Sequence, residues 1–495
     1  MLLSGYQDGI KFDQEIKIKP YMFTRSTEKT KYKNMDGQYV NRIDFESAWE
    51  ARQFIREHEQ ISNFDLYGST YFDYVWIYDN YKDLVSDNSL VRKGNYDIET
   101  DSEGGYANIE TADKEINSVT IEAISDNEIY CFGLKDVLPI QEILDEEGVK
   151  KNVIYILCRD ERDLLLKFVE TWQRLAFDVI TGWNINGYDH VYMIRRLNRL
   201  FGDDYAKCLS PYNMIEEHKF MMFGKEQTHY DIVGIPTLDY MDCYKKFSFK
   251  NVESYKLDYI SHLVLKKKKL DYSKYKTLAR LYKENPALYY TYNIIDVVRV
   301  SELENELKFI DLIFSLSHFT RTNLQDAFAT VKPCDVVIHN KMMETNTVIH
   351  HKKKETNEIE RVIAGGYVKE VKPGLYPYIM SFDFTSLYPH IIMAYNISPD
   401  AYVGKIDKYD RVDNPDRIIN ERLYDELQEK LVTNDLCITA KGTIFSRAHK
   451  SYFAQIMEEV FDRRKEYKDV MLEEENTLEK IKGEILRRKL KVPGA

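Results

Sequence analysis

The chain has 495 residues, 44% of them hydrophobic and 30% charged, with 38 tyrosines and 23 phenylalanines. That length exceeds what one core organises, so several domains are expected, and the composition excludes a disordered or low-complexity protein. A formal net charge of −12 argues against indiscriminate attachment to polyanions and confines any such contact to local basic stretches, of which Lys266–Lys269, Arg463–Lys465 and Arg487–Lys491 stand out.

The N-terminus turns polar after three residues, without the basic and apolar regions of a signal peptide. No apolar run approaches the roughly 18–20 residues that span a bilayer, so the expectation is a cytoplasmic protein with no membrane partner. Residues 1–90 carry short alternating runs of tyrosine, phenylalanine and β-branched residues, such as Tyr71–Tyr78, which predict an antiparallel sheet with one or two helices. Strands are expected over Asn95–Glu99, Ser118–Ile124 and Val153–Leu157. Asp160–Leu175 reads as an amphipathic helix, with Leu164, Leu165, Phe168, Val169 and Trp172 at helical spacing. A short apolar strand, Val179–Trp183, then precedes a helix from Asp189 to Leu200, and the alternation indicates an α/β domain. After about Glu306 the pattern is helical and polar up to the charged run His350–Glu360, read as a solvated linker or exposed turn. Past Gly365-Gly366 a strand–helix unit starts at Tyr378, and a long helix runs from about Phe453 to Leu490. The six cysteines are scattered with no C-x-x-C pair and read as reduced, mostly buried small residues.

Three acidic segments matter together. In Asp97-Ile98-Glu99 both carboxylates leave one face of a strand and can reach one metal ion. The spacing alone is uninformative, because it recurs at Asp101/Glu103, Asp113/Glu115, Asp126/Glu128 and Asp145/Glu147, where solvated surface pairs are the ordinary reading. Asp189 ends the run TGWNINGYD at a strand-to-helix transition, where an aspartate is usually just an N-cap. Tyr292 and Asp296 lie one helical turn apart on a shared face.

In order, spacing and flanking residues these segments resemble the three exonuclease motifs of the family B replicative DNA polymerases, and are most like those of T-even-type bacteriophages. The stretches TGWNINGYDHVY, LDYMDCYKKFSF, YKLDYISH, YYTYNIIDVVRV and GYVKEVKP carry the likeness along nearly the whole chain. The resemblance implies an α/β and α+β multidomain fold: an N-terminal domain (1–91) completed by a return segment (309–354), an RNase H-like exonuclease domain with a mixed sheet (92–308), a partial palm (355–449) and a first fingers helix (450–495). It implies two Mg²⁺ ions, with Mn²⁺ as a substitute, held by Asp97, Glu99, Asp189 and Asp296, and a water oriented by Tyr292. Phe220, Met221, Met222, Phe223 and Gly224 fall where the family places a hairpin that contacts DNA, and Gly365, Gly366 and Tyr367 where it contacts the primer–template. The run SFDFTSLYP is similar to polymerase motif A, in which a strand would present Asp383 as a metal ligand. Leu387 and Tyr388 would then pack against the sugar of a deoxynucleoside triphosphate whose phosphates Arg464 and Lys468 bind. A buried strand ending at Pro389 and a solvated basic stripe are the plainer readings of the same residues.

The family's K-x-x-x-N-S-x-Y-G-like and Y-x-D-T-D-like patterns occur nowhere in the 495 residues. The expectation is therefore a proofreading exonuclease acting on single-stranded and primer–template DNA in the infected-cell cytoplasm, with synthesis only when a second polypeptide supplies motifs B and C and the thumb. The alternatives are a stand-alone exonuclease with a vestigial palm, or a silent nucleic-acid-binding regulator.

Overall fold

The computed structural model describes the chain except residues 85–86, 145–147, 149, 223, 268–269, 352–367, 369, 407–424, 440–441 and 491–495. It forms two compact units, each drawn from two stretches: Met1–Lys17 with Tyr81–Pro333, and Ile18–Asn80 with Cys334–Ala495. Among the described residues no helix is long and apolar enough to cross a membrane.

The first unit is built on a seven-stranded mixed sheet in the order Glu142–Leu144, Lys150–Leu157, Glu128–Gly133, Ile116–Ala123, Lys93–Thr100, Val179–Gly182, Thr237–Asp239. The three central strands form an antiparallel meander, and the strands Lys150–Leu157, Val179–Gly182 and Thr237–Asp239 join it in parallel pairings. Side chains alternate across a strand, and here the alternation separates chemistry. Tyr96, Ile98, Val119, Ile121 and Phe132 point into a core filled by Leu164, Phe168 and Trp172 of the helix Glu161–Leu175 and by Tyr192 and Leu197 of the helix Asp189–Phe201. The opposite face carries Asn95, Asp97 and Glu99 on one strand and Ser118, Thr120 and Glu122 on the next, and the helix Pro286–Leu307 lies across it. All eight residues of Ile116–Ala123 are buried, including the four polar ones, Asn117, Ser118, Thr120 and Glu122. Buried polar groups need partners, so that helix has to supply polar side chains as well as the apolar Tyr289, Tyr290, Ile294 and Val298.

Helix starts follow local chemistry: Asp160 and Thr277 cap their helices by accepting from Asp163 N–H and Arg280 N–H. The N-terminal hairpin, Leu2–Gln7 paired with Ile10–Glu15, is tied to this unit by Tyr6 and Lys11, both on Asp178 at 2.6 Å.

The second unit contains a five-stranded sheet in the order Thr347–Val348, Tyr32–Asn34, Tyr39–Asp44, Tyr21–Arg25, Leu66–Tyr67. It also contains a three-stranded sheet and the 39-residue helix Tyr452–Leu490, against which the helix Leu387–Tyr395 packs. Two expectations are corrected here. All of the run Tyr71–Tyr78 but its first residue lies in a helix, Phe72–Tyr81, whose buried positions Phe72, Tyr74 and Val75 cluster in its first turn and do not alternate. The residues around Asp383 form no strand, since no described segment offers them a hydrogen-bonding ladder, and Phe382 and Phe384 are 85% and 75% exposed.

Candidate active site

Asp97 sits mid-strand between two core residues, so its side chain is delivered to the helix-covered face. Asn293 on that helix donates from Nδ2 to Asp97 Oδ2 at 2.6 Å. Asp189 is the first residue of its helix and is buried, and its Oδ1 accepts from the Ile98 N–H at 3.2 Å. The same strand therefore holds one carboxylate through its side-chain face and another through its backbone.

The loop leading to Asp189 is held from below by Asp239, whose carboxylate accepts from the N–H groups of Asn184 (3.0 Å), Asn186 (3.1 Å) and Met241 (3.0 Å). A Cβ at Gly182 would stand 2.9 Å from the carbonyl oxygen of Tyr96, so only glycine allows the loop to leave the sheet this close to the Asp97 strand. His190 is sandwiched by Tyr96 OH at 2.5 Å and Thr237 Oγ1 at 2.8 Å. Burial holds its imidazole down to about 3, so it stays neutral. A polar cavity of about 310 Å³ borders Asn186 and Asp239 and does not include Asp97.

The electrostatics tie the sequence-predicted residues together. Burial pushes the Asp97 carboxyl well above the usual carboxylate range, and Asp296 adds to it; burial does the same to Asp189, with Asp97 as the next cause. Asp97 keeps some accessible surface, but the crowding of protein atoms around its carboxyl dominates its ionisation. The Tyr292 phenol is 6% exposed and is raised by burial, then by Asp296 and Glu99, and it hydrogen-bonds to Asp296. Asp97, Glu99, Asp189, Tyr292 and Asp296 thus form one chain of mutual influence.

Among the described residues no three His, Cys, Asp or Glu side chains already form a group able to hold a metal ion. The donor set is nevertheless all carboxylate oxygen, which suits a hard divalent cation such as Mg²⁺ or Mn²⁺ and not a thiolate- or imidazole-seeking ion, and a cation would offset the burial and the mutual repulsion that raise the Asp97 and Asp189 carboxyls.

The remaining predicted residues are spread over other elements. Phe220 and Met221 are 47% and 69% exposed on a hairpin of Ile215–Met222 with Lys225–Ile232, where Gly224 adopts φ +75° at the turn. Asp383 and Tyr388 are exposed, as are Leu387 at the start of its helix and Arg464 and Lys468 on the long helix. Phe223, Gly365, Gly366 and Tyr367 lie outside the described residues. Sequence reasoning missed Asn293 and Asp239. The signal for the first was available in Ser118-Val119-Thr120-Ile121-Glu122, whose polar alternation inside a buried strand calls for a polar partner.

A family model described as the exonuclease domain of DNA polymerase family B matches residues 41–260, and one of DNA polymerase family B matches residues 332–493. The chain belongs to DNA polymerase family B. This family B chain is 30% identical over 510 residues to the DNA-directed DNA polymerase of Escherichia phage RB69, an alignment covering 98% of it and 54% of that relative. It is 29% identical over 499 residues to the DNA-directed DNA polymerase of Enterobacteria phage T4, covering 97% and 54%. To DNA polymerase II of Escherichia coli K12 it is 23% identical over 314 residues, covering 58% and 36%. The family B chain spans about half the length of the phage relatives.

Proposed function

We propose that residues 92–308 form an RNase H-like 3′→5′ exonuclease domain that removes nucleotides from a DNA primer end. The observation that carries this reading is the convergence of Asp97, Asp189 and Asp296, from three distant segments, on shared electrostatics beside a buried tyrosine. Asp97 would be shared between two divalent cations, Glu99 and Asp296 would complete the position on the water side, and Asp189 the position on the leaving-group side. Bound there, Mg²⁺ or Mn²⁺ supplies the Lewis acidity that phosphodiester hydrolysis needs. Tyr292 keeps its phenolic proton at neutral pH, because burial and two neighbouring carboxylates oppose its ionisation, and offers it to orient the attacking water. The Ile215–Ile232 hairpin, on which Phe220 and Met221 are exposed, would contact the DNA strand during transfer, with Met222 and Gly224 next in the chain.

For the rest, residues 1–91 with 309–354 are assigned to an N-terminal domain, 355–449 to part of a palm and 450–495 to a first fingers helix. Asp383 would serve as a metal ligand, Leu387 and Tyr388 as the sugar wall, and Arg464 and Lys468 as contacts to the triphosphate of a deoxynucleotide. Synthesis would further require the second palm aspartate and a thumb from outside these 495 residues, either continuous with them or on a second polypeptide. The setting would be the cytoplasm of an infected cell.

The experiment uses the purified chain, Mg²⁺ and a 3′-mismatched primer–template. Shortening of the primer is expected, and Asp97→Ala should slow it by at least about 10²-fold, more than loss of an outer partner would. Cleavage that survives Asp97→Ala would refute the site.

A further inference from the structure

Asn293 is completely buried and carries no charge, yet it stands between the sheet and the Asp97 carboxylate. Its Oδ1 accepts from Ser118 Oγ at 2.9 Å and Thr120 Oγ1 at 2.5 Å, while its Nδ2 donates to Asp97 Oδ2 at 2.6 Å. An amide has an accepting end and a donating end, and here the surroundings choose between them. Two hydroxyls that can donate occupy one end, and a flipped amide would set Oδ1 against the Asp97 carboxylate.

We infer that Asn293, oriented by Ser118 and Thr120, is a positioning residue that holds the Asp97 carboxylate in the geometry for sharing two cations. The inference rests on the exonuclease reading above. Asp97 is pressed by the charges of Asp296 and Asp189, and repulsion alone would swing it away from them. The Asn293 hydrogen bond opposes that swing. It engages Oδ2, and among the described residues no hydrogen bond occupies Oδ1, which is left with a lone pair of Oδ2 for cations. Asn293 is adjacent to Tyr292 and three residues before Asp296 on one rigid helix, so the anchor for Asp97 moves together with the residues that complete the site. Outer partners of ligating carboxylates typically contribute about 10–100-fold in metal affinity or activity.

A plain truncation would confuse positioning with packing, because Asn293→Leu also leaves two buried hydroxyls without an acceptor. The test therefore pairs N293L with the triple variant N293L/S118A/T120V, in which the seam is apolar on both sides. Four quantities are measured for each: the unfolding temperature, Mn²⁺ affinity by calorimetry, and kcat and KM on a single-stranded oligonucleotide. N293L is expected to unfold at lower temperature and the triple variant to recover most of that loss. Both are expected to bind Mn²⁺ about 10–100-fold more weakly and to lose kcat by a similar factor, with KM for DNA unchanged. A triple variant that regains Mn²⁺ affinity and kcat together with its unfolding temperature overturns the inference, since Asn293 then only fills space. N293D is a third variant, which keeps an acceptor for both hydroxyls and removes the donor toward Asp97. A wild-type kcat in N293D likewise overturns the inference. A wild-type chain that does not cut DNA removes the proposed function instead; Mn²⁺ affinity then decides the inference alone, and unchanged affinity in the triple variant overturns it.

Discussion

His339 is 3% exposed on the helix Val331–Glu344, and its Nε2 finds no hydrogen-bond partner among the described residues. Burial lowers its pKa from 6.5 to about 4. The folded state therefore binds fewer protons than the unfolded chain between those values. Its contribution is fully present above pH 6.5 and is lost as pH falls from there toward 4, a total on the order of 3 kcal/mol. Replacing His339→Leu should flatten the fall in unfolding midpoint between neutral pH and about pH 4.5. An unchanged pH dependence in that variant would show that other groups carry the acid sensitivity. A residue like this is invisible in the sequence, because nothing in KPCDVVIHNKMME distinguishes a core histidine from a surface one. Asn293 differs, because the polar alternation of Ser118, Thr120 and Glu122 in a strand called for a polar partner without saying which residue supplies it. By contrast Asp97, Asp189 and Asp296 were legible, because their motifs are local in the chain even though their meeting point is not.

At the scale of elements, the polar face of the sheet is held by a buried ion pair. Lys151 Nζ lies 2.5 Å from Glu122 Oε1, with side chains only 5% and 0% exposed. Ser301 and Asn95 also donate to Glu122, so strands and helix meet at one carboxylate. Removing one partner leaves a bare charge in the interior, and Lys151→Met is expected to cost about 3–5 kcal/mol in denaturant unfolding. The double change K151M/E122L should recover much of that, because an apolar pair of similar volume replaces a paired charge. Equal losses in single and double variants would deny the coupling. This seam also explains where pattern reading succeeded and where it failed. The helix Glu161–Leu175 buries one apolar stripe, the helix Asp189–Phe201 is buried all round over its first six residues, and both lie close to their expected spans. The strand Ile116–Ala123 is buried on both faces, so polarity there reports a partner and not solvent. Around Asp383 the apolar alternation was sound as a local preference, but a strand also needs a neighbour, and no local pattern states whether one is present.

At the scale of the molecule, all the proposed exonuclease ligands fall in the unit of Met1–Lys17 with Tyr81–Pro333. Metal binding should therefore act on one unit. With Mn²⁺ at about 100 times its dissociation constant, that unit gains about 2.7 kcal/mol. Calorimetric unfolding is expected to resolve two transitions, only one of which moves on adding Mn²⁺ and returns on chelation, with the response absent in Asp97→Ala. A shift of both transitions by equal amounts would mean that the units unfold as one.

The other unit has a different consequence, for the order of events on the ribosome. Its strand Tyr32–Asn34 pairs with Thr347–Val348, made some 300 residues later. At about 5–20 residues per second, translation leaves that strand without its outer neighbour for roughly 15–60 s. During that interval Tyr32–Asn34 is the open rim of a nascent sheet, a template for any passing strand. Lys33 at its centre, flanked by Lys31 just outside the strand, sets positive charge along the rim and discourages such pairing until the rightful strand emerges.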